Sequence, residues 1–184
     1  SPEVLSHNLK LFGFDPDEAQ AVVISHSHYD HTGGIPAIVP GPQDRRLIAH
    51  PDLLLPRFSR RKGKYESIGC PFSEDYLEEH FEMELDRKSV EVLPGLWTTG
   101  EISNRSEPEG RSGGHFIKKE SGWEPDPYRD DISLVLKTNG SVALICGCCH
   151  AGLLNTLNQV SGMFSEPIKT IIGGTHLIAA DGRE

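Results

Sequence analysis

Between Ile24 and Gly34 the chain reads Ile-Ser-His-Ser-His-Tyr-Asp-His-Thr-Gly-Gly, which puts four residues of metal-ligand type, His26, His28, Asp30 and His31, close together. Neutral imidazole nitrogens suit zinc or iron, and a carboxylate adds charge and a harder donor. In an extended segment residues two apart project to the same side, so His26 and His28 can reach one ion together. A bend at Tyr29 to Asp30 would turn Asp30 and His31 toward a second ion. The bland alternative is a polar loop rich in histidine. Nine histidines in 184 residues make a chance pair plausible, but a triple with an interleaved aspartate is a pattern.

Such ligands need elements to hold them. The apolar run at residues 21–24 reads as a short buried strand. It delivers the histidines to the carboxyl edge of a sheet, where open α/β sheets place ligands. Two later strands end in the same manner. Residues 132–136 alternate, turn at Asn139-Gly140, and return as a strand that runs into Cys146-Gly147-Cys148-Cys149-His150. Residues 168–172 form the last strand and run into Gly173-Gly174-Thr175-His176. Histidine-bearing turns at His26, His150 and His176 describe a site on one sheet edge.

The remaining elements are framework. Ser1-Pro2-Glu3 opens a helix that Gly13 stops. A short helix at 33–39 is cut by Pro36 and closed by Pro40-Gly41-Pro42. Residues 46–50 read as a strand, with a helical turn from Pro51 to Leu55. Ser73 caps a short helix, Pro94-Gly95 joins two short strands, and Leu153, Leu157 and Val160 follow a helical period. The polar stretch at 100–131 reads as one long loop. The basic run Arg57, Arg60, Arg61, Lys62 and Lys64 reads either as a phosphate-binding loop or, the favoured reading, as an ordinary solvated loop.

A net charge of −9 argues against general nucleic-acid binding, which relies on positive surface. No run is long enough for a transmembrane helix, and no signal peptide is visible. Cys70 stands apart while Cys146, Cys148 and Cys149 crowd one turn, unlike a secreted disulfide framework. That usage fits a reducing, cytoplasmic compartment. Apolar content of 36% suffices for a core, and the length suits one domain. A small-molecule substrate, with neither nucleic acid nor membrane as partner, is the expectation.

His26-Ser-His28-Tyr-Asp30-His31 resembles the His-x-His-x-Asp-His signature of the metallo-β-lactamase superfamily. That resemblance implies an αββα sandwich with a mono- or dinuclear metal centre at one edge. Thr99-Gly100-Glu101-Ile102, residues 126–136, Gly147-Cys148-Cys149-His150-Ala151-Gly152 and Gly173-Gly174-Thr175-His176-Leu177 follow in order. Together they are similar to the subgroup named after dihydropterin-methyl-ribofuranosylaminobenzene 5′-phosphate synthase. Subgroup members begin with an Asp-Thr-Gly strand and continue to a Pro-x-His-Cys segment. Against that pattern residues 1–184 read as a single domain lacking N-terminal strands and a C-terminal segment.

By the resemblance, His26, His28 and His150 take one ion, and Asp30, His31 and His176 the second. Gly147-Cys148 occupies the place of the superfamily's Gly-Asp pair, so the bridging ligand stays open, with Cys148 a candidate. For Cys146, Cys148 and Cys149 the favoured reading is a buried strand end. Glu101, Arg105, Asp130 and Asp131 are candidates to support the ligands or the substrate; His7, His50, His80 and His115 read as bystanders. The implied activity is a zinc-dependent hydrolase, with manganese or iron as alternatives. A metal-bound hydroxide would attack a small ester or phosphorylated compound, and Asp30 would orient the water or accept its proton. The alternatives are a methanopterin-type synthase acting on a phosphoribosyl compound, and a non-catalytic metal-binding or redox-sensing domain.

Overall fold

The computed structural model describes residues 1–39, 44–110 and 112–177. Helix α1 (Pro2–Phe12) has proline in its first turn, and it ends where Gly13 turns left-handed at φ 71°. The Phe14 amide then reaches back to the Leu9 carbonyl at 2.9 Å, which satisfies an end that would otherwise be orphaned. Strand β1 (Ala21–Val23) follows and leads into the one-turn helix α2 (Tyr29–Thr32). Strand β2 (Arg46–Ala49) runs parallel to β1, with Val22 opposite Leu47.

The basic run departs from the solvated-loop expectation. It is a hairpin, β3 (Arg57–Arg61) and β4 (Lys64–Ser67), whose Lys62-Gly63 turn has φ of 49° and 78°. Two left-handed residues match the twist of paired strands. Lysine is an uncommon choice there, and the string of charges hid the period-2 alternation beneath it. Its first member, Arg57, is fully buried.

Helix α3 (Glu74–His80) is capped by the Ser73 hydroxyl, which accepts from the Tyr76 amide. Strand β5 (Glu82–Leu85) completes a three-stranded sheet in the order β1-β2-β5. Strands β6 (Glu91–Leu93) and β7 (Leu96–Thr98) flank the Pro94-Gly95 turn as the sequence suggests. The polar stretch at 100–131 is not one loop: it contains the hairpin β8 (His115–Lys119) and β9 (Gly122–Pro125). These pair with the earlier hairpin into a four-stranded sheet, β4-β3-β8-β9, because Ser59 aligns with His115 and Arg57 with Ile117. Non-local pairing of this kind leaves little trace in a local composition.

Strands β10 (Leu134–Thr138) and β11 (Ser141–Cys146) form the expected hairpin around Asn139-Gly140. Helix α4 (Leu153–Met163) crosses over to β12 (Ile168–Gly173), which lies parallel to β11. The five-stranded sheet runs β12-β11-β10-β7-β6. Alternation along β11 buries Val142, Leu144 and Cys146 against Val160, with Leu153 and Leu157 of α4 at the margin. A second cluster, Ile24, Ile35, Leu47, Leu53, Leu77 and Phe81, fills the space under the β1-β2-β5 sheet. The Pro40-Gly41-Pro42 helix stop lies outside the described residues. Among the described residues no helix is long and apolar enough to cross a membrane.

A buried ionic knot joins these parts. The Arg57 guanidinium lies 2.9 Å from an Asp126 oxygen and 2.7 Å from an Asp130 oxygen, and donates to the Ser27 hydroxyl at 2.6 Å. Removing one partner of a buried pair leaves the other charge uncompensated, at about 3–5 kcal/mol. The Arg57→Met protein should therefore lose about that much stability in urea unfolding. An unchanged unfolding midpoint would show that the knot holds nothing together.

Candidate metal centre

The three histidine-bearing turns meet. β1 ends in Ile24-Ser25, and extended backbone then carries His26 and His28 to one side. The His28 carbonyl caps α2, accepting from His31 and Thr32 amides at 2.9 and 3.0 Å. After β11 the chain turns left-handed at Cys149, φ 59°, which presents His150 beside the first two. Gly147 is required at this approach, since a Cβ there would collide with the Ser25 side chain. Gly173, at φ 113°, is required at the next, where a Cβ would strike the Cys146 carbonyl.

Two donor groups result, each with its ligand atoms within 4.8 Å of one another: His26, His28 and His150, and His26, His31 and Cys148. His26 Nε2 sits 3.1 Å from His28 Nδ1, and Cys148 Sγ sits 3.1 Å from His31 Nε2. His26, His28 and His150 are all buried, and burial pushes each imidazole toward its neutral form. His28 falls to about 4 through burial, then the charge of His115 and Arg57. Neutral imidazoles this close meet either as one N–H against the other's lone pair or with both lone pairs turned to a shared cation.

The structure also leaves donors unused. His28 Nε2 makes no hydrogen bond, and neither His150 nitrogen has a partner at hydrogen-bond geometry. Buried polar atoms normally have partners, so these fit a cation that the site is built to hold. The Cys148 thiol is pushed up to about 11 by burial and then by Asp30 and Asp131. A cation would reverse that, because coordination deprotonates a thiol.

The other expected ligands lie on the wall of the same cleft, about 270 Å³, lined by His28, Asp30, Arg61, His115, Cys148 and His176 among others. The His176 ring is 4.3 Å from that of His150. Asp30 keeps its side chain 62% exposed at the cleft, with one oxygen 3.7 Å from His31 Nε2, beside the second donor group. Cys146 and Cys149 are buried beneath the turn, as a strand end would be, whereas Cys148 turns out toward His31.

Tyr128, not singled out in the sequence, and His115, read there as a bystander, join the surroundings of the ligands, and Asp130 and Asp131, expected to support them, do so. Tyr128 stacks on His150 with centroids 4.5 Å apart and planes 8° from parallel. Its hydroxyl meets His115 Nδ1 at 2.8 Å, which brings His115 into the cleft rather than leaving it a bystander. Asp130 accepts from the Ser27 amide at 2.8 Å, and Asp131 from the Ala151 amide at 2.9 Å. The Asp-Asp pair was visible in the sequence as a hairpin start; Tyr128 carried no signal of its own. Asp131 is pushed up to about 7, chiefly by burial. Tyr128, Cys149 and His176 also have positive φ, a backbone strain that concentrates at functional sites.

The profile of the metallo-β-lactamase superfamily matches residues 2–149. The chain belongs to that superfamily. It is 27% identical, over 97% of its length, to the 7,8-dihydropterin-6-methyl-4-(β-D-ribofuranosyl)-aminobenzene-5′-phosphate synthase of Methanocaldococcus jannaschii. It spans 63% of that protein. A solved structure of a metal-dependent hydrolase of the β-lactamase superfamily superposes with a TM-score of 0.79 at 24% identity, over 97% of this chain and 64% of that one. The mixed α/β architecture is thus the metallo-β-lactamase fold.

Two outcomes follow from the donor groups. His28→Ala and His150→Ala should each bind less metal than the unsubstituted protein in elemental analysis after zinc loading; full stoichiometry in both would remove the site. The second concerns pH. His28 titrates near 6.5 when unfolded and near 4 when folded, so between these values the unfolded chain binds more protons. Its contribution is complete above 6.5 and is lost as the pH falls toward 4. Asp131 runs the other way, being raised from 3.8 to about 7, so the difference between the metal-free protein and its His28→Gln variant is what reports on His28. That difference in urea midpoint should shift in favour of the variant as pH falls from 7.5 to 4.5.

Proposed function

We propose that this chain carries the metal centre of a metal-dependent hydrolase acting on a small ester or phosphorylated substrate. One observation carries the reading: buried neutral imidazoles with unused nitrogens converge at the base of a cleft that is open to solvent. A structural site would be closed; an open one leaves room for water and substrate. A divalent cation held by His26, His28 and His150 would supply Lewis-acid polarisation of a substrate oxygen and a more acidic water. Zinc suits the set best, since imidazole and thiolate are both soft enough for it, with manganese or iron as alternatives. His31, Cys148, Asp30 and His176 are the proposed donors for a second ion.

The protein's own groups then divide the work. Asp30 presents an exposed carboxylate at the cleft and is the proposed acceptor of the proton that the attacking water gives up. Tyr128 and Asp131 fix His150 by stacking and through the neighbouring amide. Asp130 and Arg57 fix Ser27 between His26 and His28. A reducing, cytoplasmic setting is part of the proposal, because all four cysteines are free.

The relationship to the M. jannaschii synthase favours a second reading, in which the same centre serves a condensation between a phosphoribosyl compound and a pterin or aminobenzoate partner. A panel of phosphodiesters, thioesters and lactones offered to the zinc-loaded protein separates the two. Turnover of a panel member supports hydrolysis, and Asp30→Asn should then lower kcat by about 10²–10³ with little change in KM. Retained kcat in that variant would remove Asp30 from the chemistry. Silence across the panel, with product from the condensation partners, would install the synthase reading instead.

A further inference from the structure

The four-stranded sheet has two faces of different character, and register assigns them. Side chains alternate along a strand, and directly opposed residues share a face. Ser59 stands opposite His115, and Arg61 follows two residues later, so Ser59, Arg61 and His115 share one face. All three line the metal cleft. Phe58, Arg60, Tyr65, Phe116 and Trp123 occupy the other face, where Tyr65 and Trp123 stack at 3.7 Å and Arg60 covers Tyr65.

Several cations of this protein are committed to carboxylates. Arg57 is paired with Asp126 and Asp130, Arg46 with Glu84, and Arg87 with Asp52 and Glu101. Arg61 is exposed at the cleft, and no carboxylate among the described residues lies within ion-pair distance of it. In a chain of net charge −9, an uncommitted guanidinium at the mouth of a small cleft marks the position of a negative group. Its planar fork of donors matches an oxyanion in two parallel hydrogen bonds, which an ammonium cannot do. Two strand residues separate it from the Ser59–His115 pair by roughly 7 Å, so it lies outward of the ligand histidines, where the non-reacting end of a substrate would rest.

We infer that Arg61, with Ser59 and His115 beside it, is the specificity element that selects substrates carrying an oxyanion, a phosphate monoester or a carboxylate, on the end away from the bond that breaks. This inference rests on the proposed hydrolase reading for its substrate, though not for the anion site itself.

The test has two arms. In the first, the metal-free protein is titrated with inorganic phosphate and with acetate while amide shifts are followed. Saturable shifts centred on Ser59, Arg61 and His115 are expected, with at least a tenfold weaker Kd in Arg61→Gln, partial recovery in Arg61→Lys, and the unsubstituted affinity in Arg60→Gln on the opposite face. Saturation by phosphate alone assigns a phosphate monoester, and by acetate alone a carboxylate. Absence of saturation by either, or equal affinity in Arg61→Gln, overturns the inference. In the second arm the zinc-loaded protein is offered 4-nitrophenyl hemisuccinate and 4-nitrophenyl acetate. Where acetate saturates, the ratio of kcat/KM, anionic over neutral, should fall at least tenfold in Arg61→Gln, and an unaltered ratio then overturns the inference. If the unsubstituted protein cleaves neither ester, the hydrolase reading fails on that pair while the titration still decides Arg61.

Discussion

The buried Arg57 knot is the constraint on which the rest of the structure depends. A guanidinium that loses its water is costly unless its charge and donors are met, and here it donates to Asp130 and Ser27 and lies at ion-pair distance from Asp126. Two of those partners belong to the segment at 126–131, and the third lies between His26 and His28. Asp130 is shared: one oxygen takes Arg57 while the other takes the Ser27 amide. Its neighbour Asp131 takes the amide after His150. Two adjacent carboxylates therefore tether both ligand turns to one short stretch of chain. Hydrogen bonds are directional where apolar contacts are not, so this arrangement sets angles as well as distances.

Such a centre is expensive for the fold alone. Three imidazoles are held dry and neutral, several of their nitrogens lack partners, and three neighbouring residues have left-handed backbone. Unpaired buried polar atoms and strained dihedrals each oppose folding by about 1–3 kcal/mol. The two apolar clusters beneath the sheets must offset this, and a cation on the donors would relieve much of it.

The ligand turns were legible in the sequence because each is local: a short apolar strand, a small residue (Ser25, Gly147 or Gly173), then a histidine within a few positions. The strands from which they spring, the α4 crossover and the caps were legible for the same reason. The four-stranded sheet was not. Its pairings join residues 57–61 to 115–119, and nothing in either segment announces the other. Arg57 looked like one more charge in a solvated run, since burial of a cation depends on acids 69 and 73 positions away. His115 was passed over because its role is conferred by Tyr128 and by the sheet that carries it to the cleft.

Gly147 and Gly173 show how such a centre can vary. At both, bare backbone of one strand end lies against the next so closely that a single methyl group has no place. The donor atoms sit at the tips of side chains beyond this seam, where exchanging one ligand type for another disturbs no neighbouring main chain. Donor atoms at the tips of side chains such as Cys148 and His31 can therefore differ in kind while the seam underneath stays the same. Diversity of chemistry and constancy of framework come from one close approach.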